Sequence, residues 1–490
     1  MRNLSKYIGI FLILMHPLQG SNLSGKSFLS AQPFSFIPTD ITHSTVFDQE
    51  FEDGSVLNKT EISAVVFGGK STNKEDLNTF FLIKNKSSLL TNEDPVSDTS
   101  SFQDIIGYNF NIMTTLGNQS SVISFNPKQT FSGFGISARY GFKERWWATA
   151  EVPFINVSND LGLDEAILET GGSINTTHLG LDGLPVNSIN MTNAFKQPGL
   201  LYGRIDGAQS SRGLGDIFLQ LGYDFMDRKT SYLAPYIGVI IPTSNRPNAV
   251  YLWEPIRGNN KHAGIILGAY GHTLIHEKNG AHIWFTWSSK NQYLVENKQK
   301  RSFDLNRGQW TRYLAMYKNE ADRNSTLNTM QSLGKKTFGI NLMTQDVYVT
   351  PGFSNYSTFS FSFIQGHFNA TIGTTSFIRE SENIRFVNDW ILGPEVADFS
   401  DDNSSNLLST IGSLASSGAV AGGAQIKYED IDLTSAANTN LFVNSLYGTL
   451  GYYTASEHPF LCELGGSYEV SKQNNAIDRF TFWGKFQITF

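Results

Sequence analysis

The sequence predicts an all-β fold: a transmembrane, antiparallel, up-and-down β-barrel of about twelve strands with long external loops. Three observations carry that expectation. Apolar and polar residues alternate through segments of about ten to fourteen residues, and the connections between segments are short and long in turn. The last segment, Phe480 to Phe490 (FTFWGKFQITF), sets Phe480, Phe482, Phe486, Ile488 and Phe490 on one face and Thr481, Lys485, Gln487 and Thr489 on the other, with Trp483 among them. A soluble sandwich also buries one face of each strand. A tilted strand must run ~9–11 residues to cross a bilayer, however, and these segments do.

Composition narrows the class. Hydrophobic residues make up 40% of the 490-residue chain and charged residues only 17%, below the roughly 25% usual for soluble domains. The 44 glycines and 36 phenylalanines favour strands and tight turns. A mean hydropathy of −0.21 excludes a helical membrane protein, and a net charge of −7 gives no reason to expect nucleic acid as a partner. With Cys462 the single cysteine, no intramolecular disulfide forms.

The first element, residues 1–21, reads as a signal peptide. Arg2 and Lys6 precede the apolar run YIGIFLILM (Tyr7 to Met15), and small residues Gly20 and Ser21 follow. That run is too short for a spanning helix, which needs ~20 residues. Residues 22–102 mix Asn, Ser, Asp and Lys clusters with two apolar stretches and read as an N-terminal extension, a plug or a periplasmic segment.

The barrel is expected over 103–490. Strands are expected near 103–114, 131–142, 145–154, 214–225, 232–243, 263–275, 280–289, 356–365, 367–378, 440–453, 459–471 and 478–490. In the segment SGFGISARYGF, Phe134, Ile136, Ala138, Tyr140 and Phe142 share one face, opposite Gly133, Gly135, Ser137, Arg139 and Gly141. Short connections fall at 143–145, 226–231, 277–279, 365–367 and 454–458, and long ones at 155–212, 244–262, 290–355, 379–439 and 472–477. Structureless loops above ~15 residues are rare in soluble domains, whereas outer-membrane barrels pair short periplasmic turns with long external loops. Strand-like stretches at 60–67 and 338–349 would raise the count to fourteen, the alternative reading. Aromatic residues near the short turns (Phe142, Trp146, Trp147, Tyr223, Phe225) suit a girdle at the membrane interface.

No catalytic or metal-binding pattern emerges. His272 and His276 on a strand would stand ~13 Å apart, too far to share an ion. GGKST (Gly68 to Thr72) lacks the first glycine of a phosphate loop, Ala64 standing there, and no G-x-S-x-G elbow occurs. The chain is therefore expected to be no enzyme and to carry no cofactor or metal. The informative polar residues are those expected to point inward and line a lumen: Arg139, Glu151, Asp216, Gln220, Asp224, Glu463 and Lys485, together with Glu469. They would tune solute preference in a channel or pair with one another.

Three stretches, ARYGFKERWWATAEVPF (138–154), GLGDIFLQLGYDF (213–225) and APYIGVIIPTSN (234–245), resemble in their order the outer-membrane barrels of the phenol meta-pathway type. The matching points are Tyr140-Gly141, Pro153, Gly213-Leu214-Gly215-Asp216 and Pro242-Thr243; the departures are the insertions at 290–355 and 379–439 and Ser244 where glycine is frequent. The resemblance covers about a hundred residues. It implies a transport barrel for aromatic or hydrophobic compounds and transfers no binding residue. The expected function is an outer-membrane channel or passive transporter for small solutes. The alternative is a surface adhesion or structural barrel acting through its loops. Phe486, Ile488 and Phe490 resemble the C-terminal signal read by the barrel-assembly machinery, so that machinery and outer-membrane lipids are the expected partners, and the bacterial outer membrane the expected location.

Overall fold

The computed structural model describes residues 59–93, 104–116, 118–176, 179–186, 188–306, 308–317, 336–388, 395–396, 426–454, 458–471 and 473–490. Twelve strand positions close into one antiparallel barrel. They are β1 (Thr60–Ser71), β2 (Lys128–Lys143), β3 (Trp146–Asp160), β4 (Gln209–Leu214 continued by Ile217–Tyr223), β5 (Ser231–Ile241), β6 (Gly264–Lys278), β7 (Ala281–Leu294), β8 (Ser354–Gln365), β9 (Phe368–Arg379), β10 (Leu441–Thr454), β11 (Phe460–Val470) and β12 (Arg479–Thr489). Each pairs with its sequence neighbours, and β12 pairs with β1 to close the ring. Backbone bonds between Thr60 and Phe490, 3.1 and 2.8 Å, finish the seam.

The pleat sorts residues as the alternation requires. On β12 Phe482, Phe486 and Phe490 are exposed, while Thr481, Trp483, Lys485, Gln487 and Thr489 are buried inside. Ile62, Phe134, Ile136, Leu219, Ile237, Ile265, Ile372, Leu450 and Leu464 continue the apolar band around the outside. One end carries two- to several-residue turns. At Asn279-Gly280 both residues have positive φ, 54° and 75°, the backbone that a two-residue hairpin demands. The chain terminus Phe490 lies at this same end, beside Thr60.

Two strand assignments differ from the sequence expectation. The barrel begins at Thr60, so the segment 60–71 expected within an N-terminal extension is a wall strand. The segment 103–114, expected as the first strand, is not in the wall. Its described part forms a two-residue strand and a 3₁₀ turn (Gly107–Phe110) with Tyr108, Asn109, Phe110 and Asn111 all buried. The count of twelve stands because one strand replaces the other. The second extra stretch, 338–349, lies outside the barrel, its Thr344–Thr350 part pairing with Asn297–Ser302 and Asn383–Phe386. The proposed signal segment and residues 22–58 fall outside the described residues.

At the opposite end the long connections are folded. Every loop-side connection sends side chains into one hydrophobic core: Phe81 and Phe110, Leu161 and Phe195, Leu252 and Trp253, Phe303 and Trp310, Ile431, and Ile477. Trp310 shows how this cap is held. Its ring stacks on Phe125 at 6.2 Å and meets Phe195 edge-on at 6.3 Å, and its Nε1 donates to the Phe81 carbonyl at 2.8 Å. Two buried ion pairs sit nearby, Arg312 with Asp304 and Arg301 with Glu382. Burial alone would raise the Glu382 carboxyl, but Arg301, the Asn438 amides and Arg379 hold it below the usual range. The expectation of structureless loops is thus corrected. Apolar residues scattered through six connections find one another only in three dimensions.

Candidate functional site: the barrel interior

The interior face begins with local chain geometry. On β3, Trp147 points inward, opposite Gly222 of β4. A Cβ at position 222 would lie 2.0 Å from the indole, so glycine there lets the ring lie flat against the wall. Trp147 therefore does not belong to the interfacial girdle expected from sequence; of the rings expected there, Phe142, Trp146 and Phe225 are exposed.

Around Trp147 an aromatic box holds Arg139 of β2. The guanidinium lies 4.6 Å above the Trp147 ring and 5.7 Å from that of Tyr270. Its Nη2 donates to the Tyr232 hydroxyl at 3.2 Å and stands 3.9 Å from the Asp224 carboxylate. Asp224 accepts from Trp147 Nε1 at 2.9 Å and from the Tyr232 hydroxyl, leaving Tyr270 to donate to Tyr232 at 2.9 Å. The Tyr232 ring stacks on His272 at 5.1 Å, and His272 meets Trp284 edge-on at 5.1 Å. A continuous chain of side chains thus runs from β2 to β7 inside the barrel.

The other residues expected inside also point inward. Gln220 Nε2 donates to Glu151 at 3.4 Å, and Glu463 faces Lys485 in register across β11 and β12, both buried. Arg479 donates twice to Glu469, at 2.9 and 3.1 Å, and lies 5.6 Å from the Phe131 ring. Lys290 stands 5.1 Å from the Phe218 ring. Sequence reasoning missed Tyr232, Tyr270, His272, Trp284 and Lys290. The inward parity of the four ring-bearing residues was readable, yet rings on a polar face carry no charge pattern to single them out; Lys290 fell in the expected connection 290–355, whereas its strand runs on to Leu294.

Asp216 has a different surrounding. It sits where β4 breaks, between Leu214 and Ile217, and is fully buried. Its carboxylate accepts from the backbone N–H of Ser244 at 3.1 Å and of Asn259 at 2.6 Å, pinning both ends of the loop 242–263. The Thr243 hydroxyl donates to the Gly215 carbonyl. So Gly213-Leu214-Gly215-Asp216 and Pro242-Thr243 clasp each other. Among the described residues, no strand pairs with the upper part of β4, Gln209–Leu214, on its β5 side. There Arg257 Nη1 donates to the Leu214 carbonyl at 2.9 Å, and at Gly213, φ 147°, a Cβ would lie 2.1 Å from that nitrogen.

A closed ring of strands, an apolar outside and a polar, ionisable inside decide the class. The chain is a transmembrane β-barrel. No protein-family model matches it, and no curated protein matches it. Solved structures similar to it include an outer membrane channel from Pseudomonas putida F1 (11% identity, TM-score 0.36, 89% of this chain and 96% of that one). The monoaromatic hydrocarbon channel CymD is similar at 8% identity and TM-score 0.26, with 88% of each chain covered. The outer membrane protease OmpT from Escherichia coli is similar at 8% identity and TM-score 0.22, covering 88% of this chain and 95% of that one. Likenesses of this size decide nothing about activity or solute. Among the described residues no group of three or more His, Cys, Asp or Glu could hold a metal ion.

Proposed function

We propose that the protein is a channel or passive transporter for small solutes in the bacterial outer membrane. The observation that carries this reading is the interior face. A barrel built only as a scaffold could fill itself with apolar side chains, as small barrels do. This one places Arg139, Glu151, Asp224, Lys290, Glu463, Glu469, Arg479 and Lys485 inside. The aromatic rings among them, Trp147, Tyr232, Tyr270 and Trp284, suit small hydrophobic or aromatic solutes as the class admitted. Export through residues 1–21 and recognition of Phe486, Ile488 and Phe490 by the barrel-assembly machinery belong to the same proposal. Those three residues share the outer face of β12 with Phe482, and Phe486 and Phe490 are exposed there. Purified protein in planar bilayers is expected to give discrete conductance steps. A folded barrel that stays silent there, and gives no swelling of solute-loaded liposomes, refutes the proposal.

A second reading has its own observation. The folded cap, with a core drawn from every loop-side connection, suits a surface barrel that works through its outer face. Binding of cells or matrix by the whole protein, lost when cap residues are altered and the barrel is not, would favour it over transport.

A further inference from the structure

We infer that Arg139 sets the constriction of the lumen: its guanidinium, boxed by Trp147, Tyr232 and Tyr270, bridges the interior near the short-turn end and is the group a solute must displace. The inference rests on the channel reading above. Arg139 stands on β2 and Tyr270 on β6, four positions apart in a ring of twelve. A chord joining strands a third of the circumference apart passes about half a radius from the barrel axis. The contact therefore crosses the interior and does not follow the wall.

The wall itself does not need this bridge. Neighbouring strands from β2 to β7 are already laddered around the box, β4 to β5 from Tyr236 upward and the segment 226–228 to β5 at Tyr232. The box adds contacts between strands that the ladders leave apart. Its chemistry suits a movable closure. Guanidinium is planar, weakly hydrated and attracted to aromatic faces. It stands 3.9 Å from Asp224 as an ion pair, while Trp147 and Tyr232 donate to the same carboxylate. The carboxylate and the rings stay fixed by their own bonds when the guanidinium leaves.

The same face of β2 also carries open space. Gly135 lies on the same inward face of β2, four residues from Arg139, and a Cβ built there meets nothing within 4 Å. Its neighbour Gly133 is crowded, a Cβ there lying 2.6 Å from the Phe67 ring. On this face of β2, then, the free space borders Gly135 and not Gly133.

The test is single-channel recording of wild type, Arg139→Ala and Arg139→Cys, the last in a Cys462→Ser background, with heat-modifiable migration confirming each folded barrel. Arg139→Ala is expected to raise unit conductance severalfold over wild type. Arg139→Cys is expected to conduct like Arg139→Ala, and treatment with a positively charged methanethiosulfonate reagent, which puts a cation back on the same site, to restore the low conductance within one recording. Reclosure by the reagent separates an obstructing cation from a general loosening of the wall, which the reagent would not reverse. Conductance of both variants equal to a conducting wild type overturns the constriction and leaves the channel reading intact. Silence of all three folded proteins overturns both.

Discussion

Asp216→Ala tests the clasp at the break in β4. The substitution removes a fully buried carboxylate and leaves the Ser244 and Asn259 N–H groups without an acceptor. Hydrogen bonds to a charged group contribute about 1.5–3 kcal/mol each. Two that share one carboxylate are not fully additive, so the loop 242–263 should lose about 3–5 kcal/mol of local stability. Where reclosing is faster than cleavage, proteolysis follows the open population, and each ~1.4 kcal/mol is a decade, so cleavage should rise roughly a hundredfold or more. Trypsin reports this directly, because Arg257 and Lys261, neither followed by proline, lie within the loop. The assay uses folded barrel in detergent, with the heat-dependent gel shift showing that β1 to β12 remain closed. Asp216→Asn, which keeps one carbonyl acceptor, should fall between. Cleavage of the Ala variant within about threefold of wild type, barrel intact, refutes the clasp, since it would put the loop's local stability elsewhere.

Two further outcomes follow from the cap. Trp310→Ala should cost about 3–5 kcal/mol, the usual loss for a buried aromatic, and expose the cap to protease while the barrel keeps its gel shift; equal sensitivity in cap and barrel would show that they are one cooperative unit. Asp478, in the connection before β12, has its carboxyl pushed up to about 6 by burial and by the neighbouring Asp76 and Glu469 charges, against the hydrogen bond from Ser471 N–H. Because the folded value lies above the unfolded one, its contribution is fully present below pH ~4 and is lost as pH rises through about 6. Asp478→Asn should flatten that part of the midpoint-versus-pH curve for the gel shift, and a curve unchanged in slope would remove Asp478 from the account.

What the sequence made legible was set by how cleanly each strand separates two environments. On β12 and β2, lipid on one side and polar interior on the other write the alternation in full. On β1 they do not: Val65 and Phe67 face inward into a cluster with Phe131 and Trp483, while Ile62 and Val66 face outward, so both faces are apolar. The stretch Ile106 to Ile112 shows the converse. Its apolar residues alternate with Asn109 and Asn111, yet both asparagines are buried and occupied: Asn109 accepts from Ala315 N–H, and Asn111 accepts from Leu181 N–H and donates to Gln197. A period of two in that short run records buried polar partners, not a membrane. Of the interior, the charges singled out were legible from parity, and the aromatic box was not, since it joins side chains from four strands whose heights only the closed ring sets.

The seam between β1 and β12 has a consequence for biogenesis. The two strands that complete the ring begin and end the described chain, so Thr60 waits for Phe490. Closing a segment of that length costs about 5 kcal/mol of chain entropy by the logarithmic estimate, recovered only when the last eleven-residue strand arrives. Until then the sheet has two raw edges, each a row of unpaired amides that would recruit any other extended chain. A nascent chain of this kind must be chaperoned as an open ribbon and sealed in one late step. Loss of even its final strand would leave an adhesive sheet in place of a closed ring.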